Sequence, residues 1–203
     1  MSKVQAFGTF YRSNGHLYRK SAYLQFGQSN RSLGSTIMLN PGEARLIDSK
    51  TVVGSQEIFG ELIPDKTMMR LVEIIQQYGQ TPLNGRFHIY NLFSLQNTSS
   101  KDAVKQENWL LEARNKNVEI INQFQAEQHP WVLLAWSTEK GPTLKNLKEQ
   151  WLLAIQQTKI KVFGLKAKRN NMYYHPYPRM SKHRKRYFHE IIQQLKKDES
   201  III

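Results

Sequence analysis

The sequence predicts an α/β protein with a central four-stranded, mainly parallel sheet, helices on both of its faces, and an N-terminal β-hairpin ahead of it. Short apolar runs bounded by turn or cap residues alternate with longer stretches of helical period, which is the pattern of parallel strands joined by crossover helices. Two aromatic-rich runs between Ala6 and Phe26 flank Asn14-Gly15, a dipeptide that supplies the positive φ angles of a two-residue hairpin turn. At 203 residues and 40% hydrophobic, the chain has material for one sizeable core. One domain over residues 1–203 is expected, with the hairpin in 1–31 and a basic helix and tail in 181–203.

Each element has its own signal. The runs 36–39, 87–90, 131–135 and 160–163 are short and apolar throughout, as strands buried on both faces are. Helical patterns occupy about 65–78, 101–125 and 143–157, and a last one at 181–195 follows the fourth strand. Asp65 and Ser181 stand where N-caps belong, and Gly79 stands where a helix stops.

Charge is distributed unevenly. Lysine and arginine number 29 against 16 acids, but residues 159–197 alone hold 12 basic residues and one acid, Glu190. That segment would concentrate a polyanion, and Tyr173, Tyr174, His175, Tyr177 and Tyr187 are interleaved with its charge, so a nucleic acid is the expected partner. With no cysteine, disulfides, thiolate zinc sites and cysteine nucleophiles are excluded. The six histidines are too scattered for a metal site, His183 and His189 lying six apart, and a Gly-Lys-Ser/Thr phosphate loop is absent. The expectation is therefore no cofactor and no metal. No run approaches the roughly 20 apolar residues of a membrane span, and the N-terminus lacks a signal-peptide pattern, so a cytoplasmic monomer is expected.

Open parallel sheets bind ligands beyond the C-terminal ends of their strands. Those ends carry Asn40-Pro41-Gly42-Glu43, Asn91-Leu92-Phe93, Trp136-Ser137 and His175-Pro176-Tyr177-Pro178-Arg179-Met180. This ordered set resembles the uracil-DNA glycosylase superfamily, through Met38-Leu39-Asn40-Pro41-Gly42, Ile89-Tyr90-Asn91-Leu92, Leu133-Leu134-Ala135-Trp136 and His175-Pro176-Tyr177-Pro178. The asparagine at position 40 is similar to the mismatch-specific uracil/thymine branch. The chain also looks like an uncharacterised bacterial family with Met-Leu-Asn-Pro, Asn-Leu-Phe and His-Pro signatures over most of residues 33–195.

The resemblance implies a DNA glycosylase that hydrolyses the N-glycosidic bond of a flipped-out pyrimidine and leaves an abasic site. His175 would stabilise the departing base, Asn40 would orient water, and Asp48 is a candidate base for that water. Asn91 offers donor and acceptor to a base edge, while Phe93, Trp136 and Phe59 are stacking candidates. Gly42 replaces the tyrosine that closes off pyrimidine C5 in the uracil-specific pattern, which points to a modified or mismatched pyrimidine, a C5-modified cytosine of phage DNA among them. Repair and anti-phage defence are both settings for that activity. Tyr177, Arg179, Met180 and Ser181 would meet DNA, Arg179 or Met180 as the wedge, and Lys182, Arg184, Lys185 and Arg186 would hold phosphates. The alternatives are a non-catalytic nucleic-acid-binding protein on the same fold, or an enzyme acting on RNA or free nucleotides.

Overall fold

The computed structural model describes residues 4–48, 56–79, 82–96, 108–168 and 171–198. It corrects the expected architecture. The strands β1 (Gln5–Ser13), β2 (His16–Phe26), β3 (Ser32–Met38), β4 (Arg45–Leu46), β5 (Ile58–Ile63), β6 (Gly85–Asn91), β7 (Trp131–Ala135) and β8 (Lys161–Phe163) form one eight-stranded mixed sheet. Its order is β4-β5-β1-β2-β6-β3-β7-β8. Four of the seven pairings are antiparallel (β4 with β5, β5 with β1, β1 with β2, β2 with β6) and three are parallel (β6 with β3, β3 with β7, β7 with β8).

The four-stranded parallel sheet fails as a description because the hairpin is not an appendage. Asn14 and Gly15 do adopt positive φ, 48° and 78°. The hairpin they close then fills the middle of the sheet, bonded to β5 on one side and β6 on the other. Alternation gives it two faces: Ala6, Phe10, Ala22, Leu24 and Phe26 point into one core, Tyr11 and Tyr18 into another.

Among the described residues there are four helices: α1 (Lys66–Tyr78), α2 (Asn108–Ala126), α3 (Pro142–Thr158) and α4 (Ser181–Lys196). The start of the helix expected from residue 101, and the tail 199–203, lie outside the described residues. α1 and α4 pack together and supply Leu71, Ile75, Ile191 and Leu195 to the first core. α2 and α3 pack together and supply Phe124, Leu147 and Trp151 to the second. Asp65 caps α1 as expected, its Oδ1 accepting from the Thr67 and Met68 amides at 2.9 Å. Ser181 does not cap α4; that position belongs to Met180, whose side chain makes no capping bond.

One topological feature positions the site. The chain leaves β3 for β6 by way of α1 and goes on from β6 to β7 by way of α2, and those helices feed opposite cores. The crossover therefore changes sides at the β3–β6 pair, and in open α/β sheets ligands bind beyond the strand ends at such a switch.

Candidate functional site

Asn40 and Asn91 lie at that switch point. Asn91 closes β6 opposite Met38 of β3, and the next amide, Leu92 N, donates to Met38 O at 2.9 Å. Asn91 is 6% exposed and its Oδ1 has no hydrogen-bond partner. Asn40 turns its amide back on the chain, Nδ2 donating to Pro41 O at 3.0 Å. The loop that follows is pinned by Gln96, whose Nε2 donates to Gly42 O (2.9 Å) and Ala44 O (2.7 Å).

Asp65 is the hub that motif reading passed over. While Oδ1 caps α1, Oδ2 faces Gly42 so closely that a Cβ there would overlap it. The space beside Gly42 is thus taken by a carboxylate. The same carboxylate acts electrostatically on both His175 and Arg19. Its capping role was legible; its place in the site was not, because the fold alone brings residues 19, 42, 65 and 175 together.

His175 is partly buried, and its Nδ1 accepts from the Tyr177 amide at 3.1 Å. Burial lowers its pKa below the ordinary histidine value, partly offset by the Tyr177 bond and by Asp65. The imidazole is therefore neutral at pH 7, with its proton on Nε2 and available as a donor. Two arginines brace the loop it sits on. Arg184 stacks 4.8 Å over the Tyr177 ring and donates Nη1 to Pro178 O (3.2 Å) and Arg179 O (2.6 Å), while Arg70 of α1 lies 6.0 Å from that ring.

Other expected site residues fall elsewhere. Asp48 is exposed beyond β4 at the sheet edge, lining a cavity of about 150 Å³ with Ile58 and Phe59. β5, β1, β2 and β6 separate it from β3. Phe93 and Trp136, 1% and 0% exposed, belong to the α2/α3 core, where Trp136 Nε1 donates to Asn171 O at 3.0 Å. Phe59 stacks on Phe7 at 5.8 Å on the surface. In α4, Tyr187, Ile191 and Leu195 face the core, while Ser181, Lys182, Lys185 and Arg186 are exposed. Arg186 Nε is paired with Glu190 at 2.5 Å. Arg179 is exposed, and so is Met180 at 60%, ahead of the basic helix.

Sequence reasoning also missed Lys148, which is buried beside a cavity of about 400 Å³ lined by Lys140, Lys145 and Met172. Its Nζ donates to Glu139 O at 2.8 Å, and burial lowers its pKa to about 8. Among the described residues, no three His, Cys, Asp or Glu side chains gather as a metal site, and no helix is long and apolar enough to cross a membrane.

A family model described as a protein of unknown function, DUF1643, matches residues 58–177. The match spans more than half of the 203 residues and takes in Asp65, Asn91, Trp136, His175 and Tyr177; Asn40 and the basic helix lie beyond it. No curated protein and no solved structure matches the chain.

Proposed function

The chain belongs to the DUF1643 family, and we propose that it is a monofunctional DNA glycosylase that removes a modified or mismatched pyrimidine. The observation that carries this reading is the state of His175. With Nδ1 held by the Tyr177 amide, the neutral ring keeps its Nε2 proton for another partner. Such a donor suits a base that departs with the electrons of its glycosidic bond, because it stabilises growing negative charge without first giving up a full proton.

In this reading the C1′–N1 bond breaks heterolytically, its electron pair goes to the base, and His175 Nε2–H donates to that base. Water adds to the cationic C1′ and gives up its proton. Asp65 takes that role in place of Asp48, which lies exposed beyond β4 at the sheet edge; Asp65 is the carboxylate that acts on His175. Asn40 holds the water and Asn91 reads the base edge. The substrate is a nucleotide flipped out of DNA, with exposed Met180 as the wedge and Lys182 and Lys185 on the flanking phosphates. A monomer in the cytoplasm completes the proposal.

The test is to incubate the protein with duplexes carrying uracil, thymine mismatches or C5-modified cytosines and to reveal abasic sites by alkaline cleavage. His175→Ala and Asp65→Asn are expected to lower the cleavage rate at least about 100-fold with DNA binding retained. If wild-type protein binds these duplexes and opens none of them, the enzyme reading is lost and the non-catalytic one takes its place.

A further inference from the structure

Arg19 has no role in the chemistry above, yet it is the most anomalous charge in the described structure. It sits on β2 opposite Phe10 of β1, and its backbone N–H donates to Ser94 O at 2.8 Å, just past the end of β6. The side chain is 1% exposed, and Nε, Nη1 and Nη2 all lack a hydrogen-bond partner. Burial lowers its pKa to about 10, against the raising influence of Asp65, so the group is charged at neutral pH. A guanidinium carries five N–H donors, and burying it without partners is among the costliest arrangements a fold can hold.

A second orphan lies on the same face. Phe10, across from Arg19, and Ile89, two residues before Asn91, both point into the α1/α4 core. By strand alternation Arg19 and Asn91 are directed to that side too, where Asp65 and His175 stand. Asn91 Oδ1 is buried and unpaired. A guanidinium with no hydrogen-bonded acid, on which Asp65 acts only from a distance, and an acceptor without a donor on the same face select a ligand with negative charge and an N–H group. A pyrimidine ionised at N1 has both, since its N3–H remains. A phosphodiester has the charge but lacks the donor.

We propose that Arg19 is the fixed cation of a site for an ionised pyrimidine at the β3–β6 strand ends, with Asn91 accepting from the base N–H. The guanidinium nitrogens are covered, so the charge acts across intervening atoms; in a low-dielectric interior a unit charge is felt over several ångströms. The choice of ligand rests on the glycosylase reading and deepens it: as the base leaves as an anion, neutral His175 supplies the hydrogen bond and Arg19 the positive charge that opposes the Asp65 carboxylate on the same face.

Equilibrium binding to the intact chain tests this without turnover. The probes are 5-nitrouracil, which ionises far more readily than uracil, uracil itself as the neutral counterpart, and dimethyl phosphate as an anion without a donor. Titrations are run on either side of the 5-nitrouracil ionisation. Wild-type protein is expected to prefer the ionised base to uracil by about tenfold, Arg19→Met to lose that preference, and Arg19→Lys to keep most of it. Uracil affinity should be the same in all three proteins, which also shows that the variants fold. Equal binding of both bases, binding of neither, a preference that survives in Arg19→Met, or dimethyl phosphate competing as well as the ionised base would each overturn the proposal. Abasic-site formation is scored separately. An Arg19-dependent preference without cleavage leaves the anion site standing and removes the glycosylase.

Discussion

Asp65 performs two tasks with one carboxylate, and the tasks can be separated. Removing the cap by Asp65→Ala is expected to cost about 1 kcal/mol for the lost Oδ1 bonds, and further stability because Arg19 loses the negative charge that acts on it from a distance. Asp65→Asn keeps a capping oxygen and should recover the first part only. In a double cycle, Arg19→Met should recover stability in the Asp65→Asn background, where the guanidinium is left uncompensated, and urea unfolding of the four proteins checks it; additive effects would mean the two residues do not communicate. At Gly42 the same carboxylate fills the Cβ position, so Gly42→Ala is expected to destabilise by about 1–3 kcal/mol. From the sequence, Gly42 reads as an opening toward C5 of a pyrimidine. Residue identity was legible there, but what stands opposite the glycine was not, because Asp65 arrives from another element.

The elements show where pattern reading works and where it stops. Continuous apolar runs marked β3, β6 and β7, because strands buried on both faces leave no polar alternation; β8 was marked by the same signal, although only Phe163 of its three residues is buried. Strand β5 escaped since its six residues include a glycine, Gly60, and an exposed aromatic, Phe59, and β4 has only two. Local sequence shows that Asn14-Gly15 makes a hairpin; it cannot show which edges that hairpin joins, since ladder bonds come from backbones that look alike. A buried polar network ties several elements together. His129, just before β7, meets Ser32 Oγ of β3 through Nδ1 at 2.7 Å and Tyr90 OH of β6 through Nε2 at 2.9 Å, and His88 lies 5.0 Å away. Burial lowers His129 to about 3 and His88 to about 4; each is pushed further by a neighbour, His88 and Arg86 respectively, while Glu127 stands 3.9 Å from His88. Both are neutral when folded and take up protons near pH 6.5 when unfolded, so stability is present above about 6.5 and is lost as pH falls toward 4. Each contributes a slope of up to about 1.4 kcal/mol per pH unit in that window. Urea midpoints measured from pH 7 to pH 4 should therefore fall steeply in wild-type protein, and about half as steeply from this pair in His129→Gln.

Across the whole molecule, the basic C-terminal segment divides into parts with different physical jobs, a division that net charge could not reveal. Lys182 and Lys185 are exposed on the outer face of α4, with no described partner acid, while Tyr187, Ile191 and Leu195 hold the opposite face in the core. Arg184, five residues from Arg179 in sequence, spends its guanidinium on the Pro178 and Arg179 carbonyls and the Tyr177 ring, and so braces the loop carrying His175. Grip and chemistry should then come apart on mutation. If DNA lies along α4, a Lys182→Ala, Lys185→Ala protein should lose about two units from the slope of log affinity against log salt, since each phosphate contact contributes roughly 0.9. Its cleavage rate at saturating DNA should be unchanged. Arg184→Ala should do the reverse, keeping the salt slope and losing cleavage about tenfold or more, because the Tyr177 amide no longer fixes the His175 tautomer when the loop relaxes. Filter binding across a salt series, run beside single-turnover cleavage, measures both quantities on the same three proteins. A reduced slope in Arg184→Ala would return that residue to the phosphate-binding face, and the loop would then need another brace.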